Sequence, residues 1–211
     1  MNLDQFLKIT EILKKEYPKW DAPAKRFENA YKRTPFTILI SALLSTRTKD
    51  ETTLKALQKL LKLADNPKDM LKLSCEEIEK EIYPVGFYKT KSKAIIDLCK
   101  TLTEKYNSQV PNEKKELLKL KGVGEKVANI VLESAFEKEC IAVDTHVHRI
   151  VNLLGFINSK NEKETEKLLE KKLDKKHLKN LNKLLVSFGQ VICTPKKPKC
   201  DICPILEFCK G

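Results

Sequence analysis

At 211 residues the chain is long enough for one domain with a sizeable core or for two small ones. Lys and Arg number 41 against 29 Asp and Glu, and the resulting charge of +12 points to a polyanionic partner, with nucleic acid ahead of an acidic membrane surface. The N-terminal stretch lacks the apolar core of a signal peptide, and no segment approaches the roughly 20 apolar residues of a membrane span, so an intracellular, soluble protein with no membrane partner is expected.

In chain order, residues 2 to 16 carry an amphipathic helical pattern that Pro18 ends. Pro35 opens the run FTILISALLS, too continuously apolar for a surface helix and suited to the buried central helix of an all-α domain. Thr48 with Glu51 reads as a capping box for TLKALQKLLKLA. Asn66-Pro67 starts a short helix, and Ser74 with Glu77 caps another that stops before Pro84. KTKSKAIIDLCKTLTEKY is a long helix with a basic first turn, and Pro111-Asn112 leads into a short helix. Beyond Gly155, a charged helix near 162 to 173 and an apolar-faced one near 177 to 190 follow. No repeat, low-complexity linker or convincing strand interrupts this series, so the fold class is all-α.

Residues 117 to 149 organise the rest. Leu117, Leu118 and Leu120 close one short helix, and Val127, Ile130, Val131 and Ser134 repeat at helical spacing on the next. Between them lies Gly122-Val123-Gly124, where two glycines allow a tight reversal while Val123 packs inward. Bare backbone N–H groups at the following helix start, backed by the helix dipole, suit a phosphate. Lys126 sits in that first turn, where the dipole disfavours a cation by up to about 1 kcal/mol. A nucleophilic lysine gains from such a place, because its neutral amine is the reactive form. Against that stand the 37 lysines of the chain (41 basic residues less Arg26, Arg33, Arg47 and Arg149), any of which can fall there by chance. Asp144, directly before VHRIVNLL, reads first as an N-cap, a role compatible with facing a second helix start. His146 and His148 flank that helix's first turn and suit surface or supporting positions.

Of seven cysteines, four crowd the C-terminal end: Cys193, Cys200, Cys203 and Cys209, with six, two and five residues between them. Disulfides are disfavoured in a reducing cytosol. Zinc accepts four thiolates but usually through two short-spaced pairs, whereas a four-iron cluster accepts four strung along one loop. Lys196, Lys197 and Lys199, stiffened by Pro195 and Pro198 between the first two of these cysteines, are candidate phosphate contacts. Cys75, Cys99 and Cys140 fall on expected helices as core thiols.

LKGVGEK and AVDTHVHR together resemble the helix-hairpin-helix signature of the endonuclease III superfamily of DNA glycosylases, and the cysteine spacing resembles that family's cluster loop. The resemblance runs from Pro35 to Cys209, with one departure: Lys121 stands where the family usually has a proline before the first hairpin glycine. It implies a two-domain helix-hairpin-helix glycosylase fold, with 27–136 as a helical barrel domain and 1–26 plus 137–211 as a discontinuous iron–sulfur domain. It also implies a [4Fe-4S] cluster on Cys193, Cys200, Cys203 and Cys209, Lys126 as the nucleophile that attacks the sugar, and Asp144 as the essential carboxylate. Gly122, Val123 and Gly124 would then hold DNA phosphate. LLSTRTKD resembles the segment that fills the gap left by an extruded base, with Arg47 where bacterial enzymes carry glutamine. VGFYKTKSKA resembles the loop with the apolar wedge, here Val85 or Phe87.

The implied activity is that of a bifunctional glycosylase and abasic-site lyase of base excision repair, removing oxidised pyrimidines and nicking by β-elimination through a lysine Schiff base. Its expected partner is double-stranded DNA with a damaged or abasic nucleotide, and a cytoplasmic monomer is expected. Rival readings are a T·G or U·G mismatch glycosylase of the same fold and a non-catalytic iron–sulfur DNA-binding protein.

Overall fold

The computed structural model describes residues 1–209, and among them every regular element is helical. In chain order the α-helices are α1 (Leu3–Glu16), α2 (Pro35–Ser45), α3 (Asp50–Leu63), α4 (Pro67–Met70), α5 (Cys75–Ile82), α6 (Tyr88–Lys105), α7 (Lys114–Leu117), α8 (Glu125–Phe136), α9 (Thr145–Leu153), α10 (Glu162–Lys172), α11 (Lys175–Leu178) and α12 (Leu181–Val191). The all-α class read from the sequence holds. No helix among the described residues is long and apolar enough to cross a membrane. The chain divides into two compact units, one spanning Phe27–Lys138 and the other joining Met1–Arg26 to the chain from Glu139 onward.

The unit spanning Phe27–Lys138 is built on α2. Thr34 and Thr37 form a reciprocal cap, Pro35 occupies the first turn, and every residue from Phe36 to Leu44 is buried. A helix apolar on all sides is stable only when surrounded, and α3, α6 and α8 pack against it. Leu39 and Leu44 are fully buried, each contributing about 2 kcal/mol through area removed from water. The Ser74–Glu77 capping box starts α5, and Asn66 caps α4, as the sequence indicates. Tyr106, at the end of α6, donates from Oη to Glu116 of α7 at 2.7 Å and so ties the approach to the glycine turn to the long helix.

Two sequence expectations give way here. Thr48 does not cap α3; the cap position is Lys49, and no side chain closes it. The Thr48 hydroxyl is taken by tertiary partners instead, accepting from Gly86 N at 3.1 Å and from Lys91 Nζ at 3.3 Å. On α8 the buried side chains are Val127, Ala128, Asn129, Val131 and Leu132, whereas Ile130 is half-buried and Ser134 exposed. Because α8 lies against both α2 and α7, its covered arc is wider than a single stripe and displaced from the expected one.

In the other unit, α1 is capped by the reciprocal Asn2–Gln5 box and buries Phe6, Ile9 and Leu13. The Phe6 ring stacks on Phe156 with centroids 3.8 Å apart, and the Met1 ammonium donates to the Gly155 carbonyl at 3.0 Å. Helix α12 packs against α1 and α9. The apolar-faced helix expected over 177 to 190 is broken into α11 and α12 by Asn180, whose φ of 64° interrupts the helical run. Asn tolerates this left-handed conformation better than most residues. Cys140 lies in the connection before α9, half-buried, rather than on a helix. Cys75 is half-buried at the start of α5, and only Cys99 is a fully buried thiol, its pKa pushed up to about 12 by burial.

Candidate functional site

The glycine turn leads into α8 by a tight left-handed step. Gly122 has φ +81°, and a Cβ there would lie 3.2 Å from both the Ala94 Cβ and the Leu43 Cδ1, so the position demands glycine twice over. Val123 is buried and its N–H bonds to the Leu120 carbonyl at 3.1 Å, which seats the turn on the core. Gly124 is the N-cap of α8, with ordinary φ and nothing within 4 Å of the site where a Cβ would stand. The start of α8 therefore has a cap residue without a side chain, in open space, with first-turn N–H groups directed outward along the axis. Lys126, the second residue of α8, is exposed at that end.

In the unit containing α9, Asp144 is the helix N-cap. A single oxygen, Oδ1, accepts from His146 N at 2.9 Å and from Val147 N at 3.0 Å. The carboxylate is half-buried and fixed in direction by the backbone it caps. His148 belongs to a polar cluster, with Nδ1 at 2.6 Å from Thr165 Oγ1 and at 3.2 Å from Asn152 Nδ2.

Arg47 and Phe87 are brought together. Both residues are left-handed, at φ 53° and 60°, and the guanidinium carbon lies 5.5 Å from the ring centroid. Phe87 is 61% exposed, so its aromatic ring is a surface feature and not part of the core. Val85, the other candidate for the apolar wedge, is only 1% exposed and is corrected to a core residue; its backbone N–H bonds back to the Ile82 carbonyl at 2.8 Å.

Sequence reasoning missed Lys91. The residue is 7% exposed, and its Nζ donates to the Leu44 carbonyl at 2.8 Å, the Thr46 carbonyl at 2.6 Å and Thr48 Oγ1 at 3.3 Å. Burial pushes its pKa down to about 8. The signal was present in the register: Lys91, Ile95, Leu98 and Leu102 share the buried face of α6. A lysine in an apolar stripe is a buried charge looking for acceptors.

The four C-terminal cysteines line one cavity of about 320 Å³, together with Ile192, Ile205 and Leu206. Among the described residues no three Cys, His, Asp or Glu side chains converge closely enough for a single metal ion, so the spacing gathers the thiols around a space and not on a point. Burial, and then the neighbouring Cys193, Cys209 and Cys200 thiols, push the Cys203 thiol up. Repulsion among four sulfurs is what a cationic iron centre relieves, so the donor set fits a cluster. Arg149 adds a donor, from Nη1 to Cys193 Sγ at 3.3 Å, and holds the same residue's carbonyl through Nη2 at 2.5 Å. Lys196, Lys197 and Lys199 are all exposed on the stretch between the first two cysteines.

Comparison with known proteins identifies this arrangement. Residues 40–175 match the family profile described as HhH-GPD superfamily base excision DNA repair protein, and residues 193–209 match the iron-sulfur binding domain of endonuclease III. The endonuclease III of Thermotoga maritima is 43% identical over 187 residues, covering 88% of each chain. The chain belongs to the endonuclease III family. A solved non-covalent endonuclease III–DNA complex superposes with a TM-score of 0.88 at 33% identity, covering all of this chain and 96% of that one. A trapped endonuclease III–DNA covalent intermediate, described as an estranged-adenine complex, superposes at 0.81 with 35% identity, covering 97% and 95%. This family member is accordingly a DNA-binding glycosylase and abasic-site lyase of base excision repair. The match from Cys193 to Cys209 decides between zinc and iron–sulfur in favour of the [4Fe-4S] cluster.

Proposed function

We propose that this enzyme removes oxidised pyrimidines from double-stranded DNA through Lys126 and nicks the resulting abasic site. The observation that carries the assignment is an exposed lysine in the first turn of α8, directly after a glycine turn that leaves the helix start uncovered. A cation gains nothing from the dipole there, so a chemical role accounts for its place better than a structural one.

The turn at Gly122, Val123 and Gly124 binds a DNA phosphate through backbone N–H groups. Lys196, Lys197 and Lys199 add phosphate contacts, and the energy of these contacts offsets the few kcal/mol needed to take a damaged nucleotide out of the stack. The exposed Phe87 ring enters the duplex as the wedge, and Arg47 fills the vacated place and hydrogen-bonds the orphaned partner base. The neutral Lys126 amine then attacks C1′. The bond from C1′ to the base breaks, the base leaves with its electron pair and a proton, and the sugar opens to a Schiff base on Nζ. Loss of a proton from C2′ expels the 3′ phosphate and cuts the strand, and water releases the enzyme. The Asp144 carboxylate stabilises the cationic sugar or carries the proton transfers. Cys193, Cys200, Cys203 and Cys209 would hold the [4Fe-4S] cluster, and its binding would fix the lysines strung between the first two. The enzyme works as a monomer on DNA in the bacterial cytoplasm; its +12 charge supports the DNA partner and its bacterial relatives support the setting.

Borohydride with a duplex bearing an oxidised pyrimidine or an abasic site tests the assignment. A covalent adduct is expected for the native enzyme and none for Lys126→Ala; an equal yield from the variant overturns the role of Lys126. A panel with T·G, U·G and 8-oxoguanine duplexes tests the substrate, and faster release from a T·G mismatch would replace oxidised pyrimidines with the mismatch reading.

A further inference from the structure

Arg47 stands between a backbone carbonyl, that of Thr46, and a side-chain hydroxyl, that of Thr48, that one buried ammonium holds. Lys91 reaches from the first turn of α6 to the carbonyls of Leu44 and Thr46, at 2.8 and 2.6 Å, and to Thr48 Oγ1 at 3.3 Å. The last carbonyls of a helix have no partner within it, so α2 ends on acceptors that something must satisfy. A charged donor does so more strongly than a neutral one. The arrangement is not local to α6, whose dipole disfavours a cation in this turn.

The neighbouring segment is locked to the same loop. Gly86 N donates to Thr48 Oγ1 at 3.1 Å, and a Cβ on Gly86 would come within 2.6 Å of the Arg47 carbonyl oxygen, so the two backbones touch. Left-handed φ at a non-glycine residue persists only where its surroundings over-determine it, and Arg47 and Phe87 both have it. We propose that Lys91 is a positioning residue for base extrusion, its buried ammonium holding the backbone that leads into Arg47 and the Thr48 hydroxyl that follows it, so that the guanidinium stands on the Phe87 ring before DNA arrives. A side chain already ordered in its working place loses less freedom on binding. The inference rests on the reading of Arg47 and Phe87 as the groups that enter the duplex.

The test uses the holoenzyme and Lys91→Met, which keeps the packed stem and removes the ammonium. The chain has four arginines, so the Arg47 Nε–H resonance is assignable by its loss in Arg47→Ala. In the native enzyme it is displaced by the Phe87 ring current, and Lys91→Met should return it to the position found in Phe87→Ala while the rest of the spectrum is retained. Single-turnover base release from a fully paired lesion duplex should fall about tenfold, the scale on which misplacement of a working group acts. Cutting of an abasic site in single-stranded DNA, which has no partner base to fill against, should hold. Lys91→Met combined with Arg47→Ala should lose no more than Arg47→Ala alone.

An unmoved Arg47 resonance, additive losses, or an equal loss on the single strand overturns the role of Lys91. Full base release by Arg47→Ala, with the resonance still moved by Lys91→Met, overturns the extrusion reading itself, so the two failures are told apart.

Discussion

The Asp144 carboxylate accepts the Val147 N–H at 3.0 Å through the oxygen that also takes the His146 N–H, so a residue proposed for chemistry is also the cap of α9. The two duties separate by substitution. Asn caps as well as Asp, so Asp144→Asn should keep stability within about 0.5 kcal/mol, whereas Asp144→Ala should lose about 1 kcal/mol or somewhat more. Both should lose strand cutting by roughly 10²–10⁴-fold if the charge carries the proton transfers. Urea denaturation beside single-turnover kinetics checks this; near-native cutting by Asp144→Asn would reduce the residue to its cap.

The glycines of the turn should respond differently to alanine. Gly122→Ala meets a positive φ together with two contacts at 3.2 Å, and a loss of about 1–3 kcal/mol is expected. Gly124→Ala meets open space and ordinary φ, so only alanine's poorer capping acts and stability should change by no more than about 1 kcal/mol. Its methyl group would nevertheless stand where a phosphate approaches, so affinity for an abasic duplex should drop. Denaturation paired with equilibrium binding distinguishes the two, and unchanged binding by Gly124→Ala would remove the phosphate from this helix start.

Lys91 gives a pH dependence of known sign. Burial holds it at about 8, below the ~10.4 of a solvated lysine. Between those values the folded chain binds fewer protons than the unfolded chain, so this group's contribution to stability rises as pH climbs through the window. The difference in unfolding free energy between the native enzyme and Lys91→Met should therefore move in favour of the native enzyme from pH 7 to pH 9.5. All other titrating groups cancel in that difference, and a constant value contradicts the shift.

Lys196, Lys197 and Lys199 should act through phosphate charge alone. Replacing all three with Gln should weaken binding to damaged and undamaged duplex alike, and should reduce the dependence of log K on log salt by up to about 2.7. Fluorescence anisotropy across a salt series measures it. An unchanged slope would leave these lysines as a solvated loop.

How much was legible follows from where each residue finds its partners. The Ser74–Glu77 box, the Asn66 cap and the Asp144 cap are satisfied within three residues, and the sequence alone declared them. The α2 run was equally plain, since no surface helix tolerates so unbroken an apolar stretch. Thr48 was misread because its hydroxyl serves Gly86 and Lys91, some forty residues away, and the local capping pattern carries no trace of them. Val85 and Phe87 are two residues apart and both apolar, and only packing makes one a core residue and the other a surface ring. Four cysteines at one end of the chain announced a metal-binding loop, but the space they enclose is a property of the fold.

The stacked rings of Phe6 and Phe156 have a consequence for the order in which the molecule is made. Residues 27–138 form a unit of their own and can fold on the ribosome as soon as they emerge. Helix α1 is synthesised before that unit, yet its apolar face must wait until residue 156 and then α12 leave the exit tunnel. Until then Phe6, Ile9 and Leu13 lack the surface that covers them, and a helix made before most of the chain is among the last to be buried.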